Sequence, residues 1–293
     1  MLILISDPFD DALPGQLEAL GEVTTDKDRI PEADVILIRS KTKVTREYID
    51  NAPNLKLVVR GGVGLDNVDL KYAAEKGIKV SNTPTASSIA VAELAFALML
   101  SVPNNIVVGH NTMKDGKWEK KQLKRTELHS KTLGLIGIGN IATEVAKRAA
   151  AFGMTVTAFD PFVDSSDHAE MIDSLDAMVA GADYISMHVP LLDGTKDMIN
   201  ADMIGKMKDG VIFVNTGRGG CVHADDMKSA LESGKVRCYA TDVWPSDPPA
   251  EDYPLLSAPN VQMTPHLGAS SKENLGRVAA ETLSIVTDFI GGM

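Results

Sequence analysis

At 293 residues the chain is longer than one compact core usually holds, so two domains are the expectation. Hydrophobic residues make up 44% and charged residues 24%; no apolar run is long enough to span a bilayer, and the apolar opening "MLILISDPFD" lacks a basic lead, so it reads as a buried strand, with no membrane partner expected. A net charge of −11 argues against a nucleic-acid partner, and two cysteines, Cys221 and Cys238, without metal or disulfide spacing predict a metal-free protein of a reducing cytoplasm.

In chain order, short β-branched runs alternate with helical patterns. The first series is "LILIS", "DVILIRS", a helix near "TREYIDNA", "LKLVVR", the helix "VDLKYAAEKG" and "IKVSN". From about Ser87, "SSIAVAELAFALMLSV" is apolar nearly all round, which predicts a helix buried between domains or between subunits. A second series begins at Leu133: "TLGLIGI", "TVTAFD", "DYISMHV", "VIFVN", "VRCYATDV" and "VQMTPH". The last segment, "SKENLGRVAAETLSIVTDFI", is predicted to be a helix, with Leu275, Val278, Ala279, Leu283, Val286 and Ile290 at helical spacing. This alternation predicts an α/β protein of two doubly wound parallel sheets with a cleft between them.

Gly137, Gly139 and Ala142 form G-x-G-x-x-A after a strand expected to end at Ile138. The following helix is expected to bury Ile141, Val145, Ala149 and Phe152 on one face. Gly137 permits a tight turn, Gly139 lets a pyrophosphate approach the backbone, and Ala142 lets the helix pack close to the strand. The next strand ends about 20 residues on at Asp160, a carboxylate placed to accept from ribose hydroxyls and to repel a 2′-phosphate. The cofactor expected is therefore NAD.

Three later strand ends carry chemistry: "NTGRGG" with Arg218, "TDVWPSDPP" with Asp242 and Asp247, and "TPHLGASS" with His266. Each has a plain reading alone, as a solvated turn residue, a loop acid and a capping histidine. Together they suit hydride transfer at a 2-hydroxy acid. A guanidinium holds the carboxylate, an imidazole moves the proton, and an acid beside the imidazole orients it and stabilises its cation.

These segments, with "GGVGLDNVDL", "VSNTPTASSIAVAEL" and "KTLGLIGIGNIA", resemble the D-isomer-specific 2-hydroxyacid dehydrogenases, in family order over nearly the whole chain. The resemblance implies a flavodoxin-like substrate domain, residues 1–97 plus 268–293, and a Rossmann NAD-binding domain, residues 98–267. It implies Arg218, Asp247 and His266 as the catalytic set, and substrate contacts from the backbone of Val63 and Gly64. It implies a cofactor lining of Thr83, Gly137, Gly139, Asn140, Ile141, Asp160, Val189, Thr216, Gly217, Asp242, His266, Gly268 and Ala269. The family usually has Glu where this chain has Asp247, one methylene (roughly 1.5 Å) shorter. Either the loop moves inward or the pairing with His266 weakens; Glu251 is a poorer substitute.

"RSKTKVT" and "WEKKQLKRTELHSKTLG" resemble members of the family that act on a phosphorylated acid. Arg39, Ser40, Lys41 and Arg60 are the expected phosphate-binding groups, and 3-phospho-D-glycerate the expected substrate. Lys120, Lys121 and Lys124 form a second basic cluster, read either as a contribution to this or a partner subunit's site or as a solvated face. Glyoxylate or hydroxypyruvate reduction is the alternative within the family, and a non-enzymatic NAD sensor the alternative outside it. A homodimer through the NAD-binding domains is also implied.

Overall fold

A computed structural model describes residues 1–292. The chain divides into two units, one made of residues 1–88 with those from Ala269 onward, the other of residues 89–268. The sequence reading places the corresponding divisions at 97/98 and 267/268.

The first unit opens with β1 (Leu2–Ile5), α1 (Leu13–Leu17), β2 (Glu22–Thr24) and β3 (Val35–Ile38). It continues through α2 (Arg46–Asp50), β4 (Leu57–Arg60), α3 (Leu70–Glu75) and β5 (Lys79–Asn82). The five strands are all parallel, in the order β2-β1-β3-β4-β5. β1 and β3 are buried along their whole length, as their continuous apolar runs require when helices cover both faces. Alternate residues serve opposite faces: Leu4, Ile36 and Val58 on one, Ile3, Val35 and Leu57 on the other. Side-chain caps start α2 and α3, with Thr45 Oγ1 accepting from the Tyr48 N–H and Asp69 Oδ1 from the Tyr72 N–H.

α4 (Ser88–Ser101) leads into the second unit. Ala92, Ala95, Phe96 and Met99 are buried in that unit's own core. Burial inside one domain therefore also accounts for the apolar surface of this helix. There follow α5 (Ile106–Lys114), β6 (Thr132–Ile136), α6 (Asn140–Ala151), β7 (Thr155–Phe159), β8 (Glu170–Met171) and α7 (Leu175–Gly181). The unit is completed by β9 (Tyr184–Met187), α8 (Ala201–Lys206), β10 (Val211–Asn215), α9 (Ala224–Ser233), β11 (Val236–Thr241) and β12 (Val261–Met263).

Its seven strands are parallel, in the order β12-β11-β10-β9-β6-β7-β8. The winding direction reverses between β6 and β9, which opens a crevice at their carboxyl ends. The chain then returns to the first unit through α10 (Lys272–Gly291), which buries Val278, Ala279 and Val286.

Two smaller expectations are corrected. β6 ends at Ile136 rather than Ile138, because Gly137 turns out of the strand at φ 85°. Phe152 caps the C-terminus of α6 and is exposed, its ring tilted by 53° to that of Phe96 at 4.9 Å between centroids, instead of joining the buried face. No single helix among the described residues is long and apolar enough to cross a membrane; α4 and α5 reach that composition only as a pair bent by 62°.

Candidate active site

Gly137, Gly139 and Asn140 occupy the turn from β6 into α6. A side chain at Gly137 would come within 2.9 Å of Val189 Cγ1 and 3.1 Å of the His188 carbonyl, besides needing the left-handed backbone. Val189 therefore lines the crevice between β6 and β9. Gly139 is the N-cap of α6, with extended backbone and nothing within 4 Å of where its Cβ would lie. The start of α6 thus faces open space with its backbone N–H groups, a cradle that suits a pyrophosphate and that a Cβ would enter. Ala142 is fully buried where α6 meets the sheet, and Ile141 is half-buried beside it. Asp160 follows β7. Its Oδ2 accepts from the Ile138 N–H at 3.1 Å and its Oδ1 from the Phe162 N–H at 2.9 Å. These bonds hold the half-buried carboxylate beside the glycine turn with lone pairs to spare for hydroxyl donors.

Among the described residues, each unit holds a buried hydroxyl that lacks a partner. Thr216 Oγ1, after β10, is buried with no hydrogen-bond partner among the described residues, and so is Thr83 Oγ1 in the first unit. A buried hydroxyl without a partner costs free energy unless a ligand satisfies it. Gly217 is also closely packed, its missing Cβ position lying 3.1 Å from the Met187 carbonyl and 3.2 Å from that of Val189.

Arg218, Asp242, Asp247 and His266 all follow the carboxyl ends of the adjacent parallel strands β10, β11 and β12. Arg218 is half-buried, and one of its guanidinium nitrogens, Nη1, donates to the Gly217 carbonyl at 2.8 Å. His266 stands at φ 55°, a left-handed conformation that is strained for a side chain of this kind. The buried carboxylate of Asp242 secures that turn. Its Oδ1 accepts from Thr264 Oγ1 at 2.6 Å and the Leu267 N–H at 2.7 Å, its Oδ2 from the Gly268 N–H at 2.8 Å. Gly268 is tight against it: an added Cβ would lie 3.1 Å from Asp242 Oδ2.

His266 Nδ1 donates to Asp247 Oδ2 at 2.5 Å. The shorter acid therefore reaches the imidazole. No side chain or backbone group among the described residues pairs with His266 Nε2, so one ring nitrogen is oriented by the acid and the other is left for proton exchange. Glu251 is exposed and has no part in this pairing.

In the first unit, Arg39 is half-buried at the end of β3. Its Nη2 makes one long contact to the Ala269 carbonyl at 3.4 Å, and its Nε is buried with no partner. Burial holds the guanidinium pKa below its ordinary value, with Asp7 partly offsetting this. Asp7 Oδ2 also accepts from the Arg39 N–H at 2.7 Å and fixes the start of this segment. Ser40 and Lys41 are exposed next to it, and Arg60 is half-buried at the end of β4. No acceptor among the described residues pairs with the N–H groups of Val63 and Gly64. Two residues that pattern reading passed over also lie in the second unit. Asn215, the last residue of β10, bonds the Arg218 loop through its side chain. His188, at the end of β9, has its Nδ1 buried without a partner and its Nε2 bonded to Ser186 at 2.8 Å. An Asn before a Gly-containing turn was the available signal for the first; nothing in the sequence marks the second.

Residues 96–268 match the model of the D-isomer specific 2-hydroxyacid dehydrogenase NAD binding domain. The chain is 48% identical to the hydroxypyruvate reductase of Thermotoga maritima over 264 residues, 89% of this chain and 86% of that protein. It is 42% identical to the D-3-phosphoglycerate dehydrogenase of Methanocaldococcus jannaschii over 299 residues, covering 97% of this chain but 57% of that longer protein. The D-lactate dehydrogenase of Aquifex aeolicus, solved with NAD and lactic acid, superposes with a TM-score of 0.87 at 30% identity, over 100% of this chain and 96% of that one. The chain belongs to the D-isomer-specific 2-hydroxyacid dehydrogenases, the NAD-dependent oxidoreductases in which a parallel-sheet domain binds the dinucleotide.

Proposed function

We propose that the protein oxidises 3-phospho-D-glycerate at C2 to 3-phosphohydroxypyruvate. The second unit takes the part of the NAD-binding domain and the first that of the substrate domain. NAD supplies the hydride acceptor when bound, held at the α6 N-terminus, by Asp160 and by the hydroxyls of Thr83 and Thr216. Neutral His266 accepts the C2 hydroxyl proton at Nε2 as the hydride leaves, and Asp247 stabilises the resulting imidazolium through Nδ1. In the reverse direction the imidazolium is the acid. Arg218 holds the substrate carboxylate and polarises the C2 oxygen, and the unpaired N–H groups of Val63 and Gly64 add donors to the carboxylate.

The observation that carries the substrate assignment is Arg39. A half-buried guanidinium with an unpartnered Nε and one long contact has donors to spare for an anion. Lys41 adds a second cation, and the resemblance to D-3-phosphoglycerate dehydrogenases supports the reading. The test compares 3-phospho-D-glycerate with unphosphorylated D-glycerate in the wild type and in Arg39→Ala/Lys41→Ala. The expected loss in kcat/KM is about a hundredfold for the phosphorylated acid and under about threefold for the other, since charged hydrogen bonds contribute ~1.5–3 kcal/mol. Equal losses would overturn the phosphate assignment.

A second reading, reduction of hydroxypyruvate or glyoxylate, is favoured by the greater identity to the Thermotoga hydroxypyruvate reductase, whose length this chain nearly matches. In that case the wild type would prefer the unphosphorylated oxo acid. The protein also reads as a homodimer through the second unit, because α5 leaves Ile106, Val107 and Val108 exposed with no buried residue of its own.

A further inference from the structure

We propose that Asn215 is a positioning residue for Arg218, its buried side-chain amide fixing the backbone from which the guanidinium projects. This rests on the substrate-binding part given to Arg218 above. Asn215 ends β10 and is fully buried. Its Nδ2 donates to the Arg218 carbonyl at 3.0 Å and to the Tyr239 hydroxyl at 3.0 Å, and its Oδ1 accepts from the Gly217 N–H at 3.0 Å. One side chain thus binds the backbone on both sides of the Gly217–Arg218 peptide.

The surroundings leave that amide little freedom. The Asn215 backbone is in register with Thr241 on β11, and its carbonyl accepts from the Asp242 N–H at 3.0 Å. Tyr239, two residues before Thr241 on the same strand, is almost wholly buried, and burial raises its pKa far above the ordinary tyrosine range. Its hydroxyl therefore stays neutral and remains an acceptor for Asn215 Nδ2. On the far side of Arg218, a Cβ at Gly219 would fall 2.4 Å from the Trp244 carbonyl carbon. Gly219 is thus closely packed against the Trp244 backbone on that side, while the amide of Asn215 holds the loop on the other.

The chemistry of the amide also matters. The Arg218 carbonyl needs a donor and the Gly217 N–H needs an acceptor, and only a carboxamide offers both in the same plane. A carboxylate of the same shape keeps the second bond but sets an acceptor against the Arg218 carbonyl. Asn215→Asp is therefore a nearly isosteric change that releases the loop at the arginine.

The experiment is a double-mutant cycle. Asn215→Asp, Arg218→Ala and the double variant are assayed for reduction of hydroxypyruvate or its 3-phosphate, whichever the wild type turns over. NADH affinity is measured alongside by fluorescence. The expected result is an approximately tenfold loss of kcat/KM from Asn215→Asp, the effect of one mismatched buried hydrogen bond. In the Arg218→Ala background the same change has less than about a twofold effect, and NADH affinity stays within about twofold throughout. Tyr239→Phe keeps the ring and removes one partner of the amide; it is expected to cost about threefold and serves if Asn215→Asp does not fold. The inference is overturned if Asn215→Asp or Tyr239→Phe leaves kcat/KM unaltered, or if either loss is fully retained without Arg218. Should Arg218→Ala itself leave kcat/KM unchanged, the substrate-binding part given to Arg218 fails first, and that outcome separates the two failures.

Discussion

The short side chain of Asp247 reaches the imidazole, its Oδ2 lying 2.5 Å from His266 Nδ1. His266 adopts a left-handed conformation, held there by three hydrogen bonds onto the carboxylate of Asp242. Sequence reading singled out these residues but had no means to assign Asp242 its bonds, because they join atoms across a turn. His188 was invisible for the same reason. Burial pushes its pKa down to about 4 from the ordinary 6.5. The unfolded chain therefore takes up a proton between pH 6.5 and 4 that the folded chain refuses. Stability is complete above pH 6.5 and falls as the pH drops toward 4, by up to roughly 3 kcal/mol. His188→Asn is expected to flatten this part of the Tm-against-pH curve relative to the wild type. Parallel curves for the two proteins would show that His188 is not the group responsible.

At the scale of elements, the glycine turn between β6 and α6 separates two uses of the same residue type. Gly137 is required by the fold, through its positive φ and its contacts with Val189 and His188; Gly139 has ordinary backbone angles and open space. Gly137→Ala is expected to lower Tm by several degrees, from about 2 kcal/mol of backbone and steric strain. Gly139→Ala is expected to leave Tm within about a degree but weaken NADH roughly tenfold, by placing a methyl where the pyrophosphate approaches. If Gly139→Ala binds NADH as the wild type does, the cradle is misassigned. Long β-branched strands such as "VILI" and "VIFVN" were legible because burial on both faces of a parallel sheet demands continuous apolar runs. α1, β2 and β8 escaped notice. They are two to five residues long, too short to establish a period, and their pairing depends on neighbours distant in the chain.

For the whole molecule, an acidic chain displays a local apolar surface with basic neighbours. Ile106, Val107, Val108 and Met113 of α5 are exposed, Trp118 is 76% exposed, and Lys120, Lys121 and Lys124 follow in the chain. Exposed apolar side chains spread around one short helix that buries none of its residues suit a surface covered in a dimer. Ile106→Asp/Val108→Asp is expected to convert a wild-type dimer to monomers in sedimentation equilibrium without loss of Tm beyond a few degrees. An unchanged mass would remove α5 from the interface.

In the proposed reaction a 2-hydroxy acid loses hydride to NAD while His266 takes its proton. This is tested most directly by following NADH formation at 340 nm with a panel of 3-phospho-D-glycerate, D-glycerate, glycolate and D-lactate, using the wild type and His266→Ala. The wild type is expected to turn over, fastest with 3-phospho-D-glycerate, and His266→Ala to lose at least about a hundredfold while NADH still binds. Undiminished turnover in His266→Ala, or no turnover of any acid by a wild type that binds NAD, would contradict the proposed reaction.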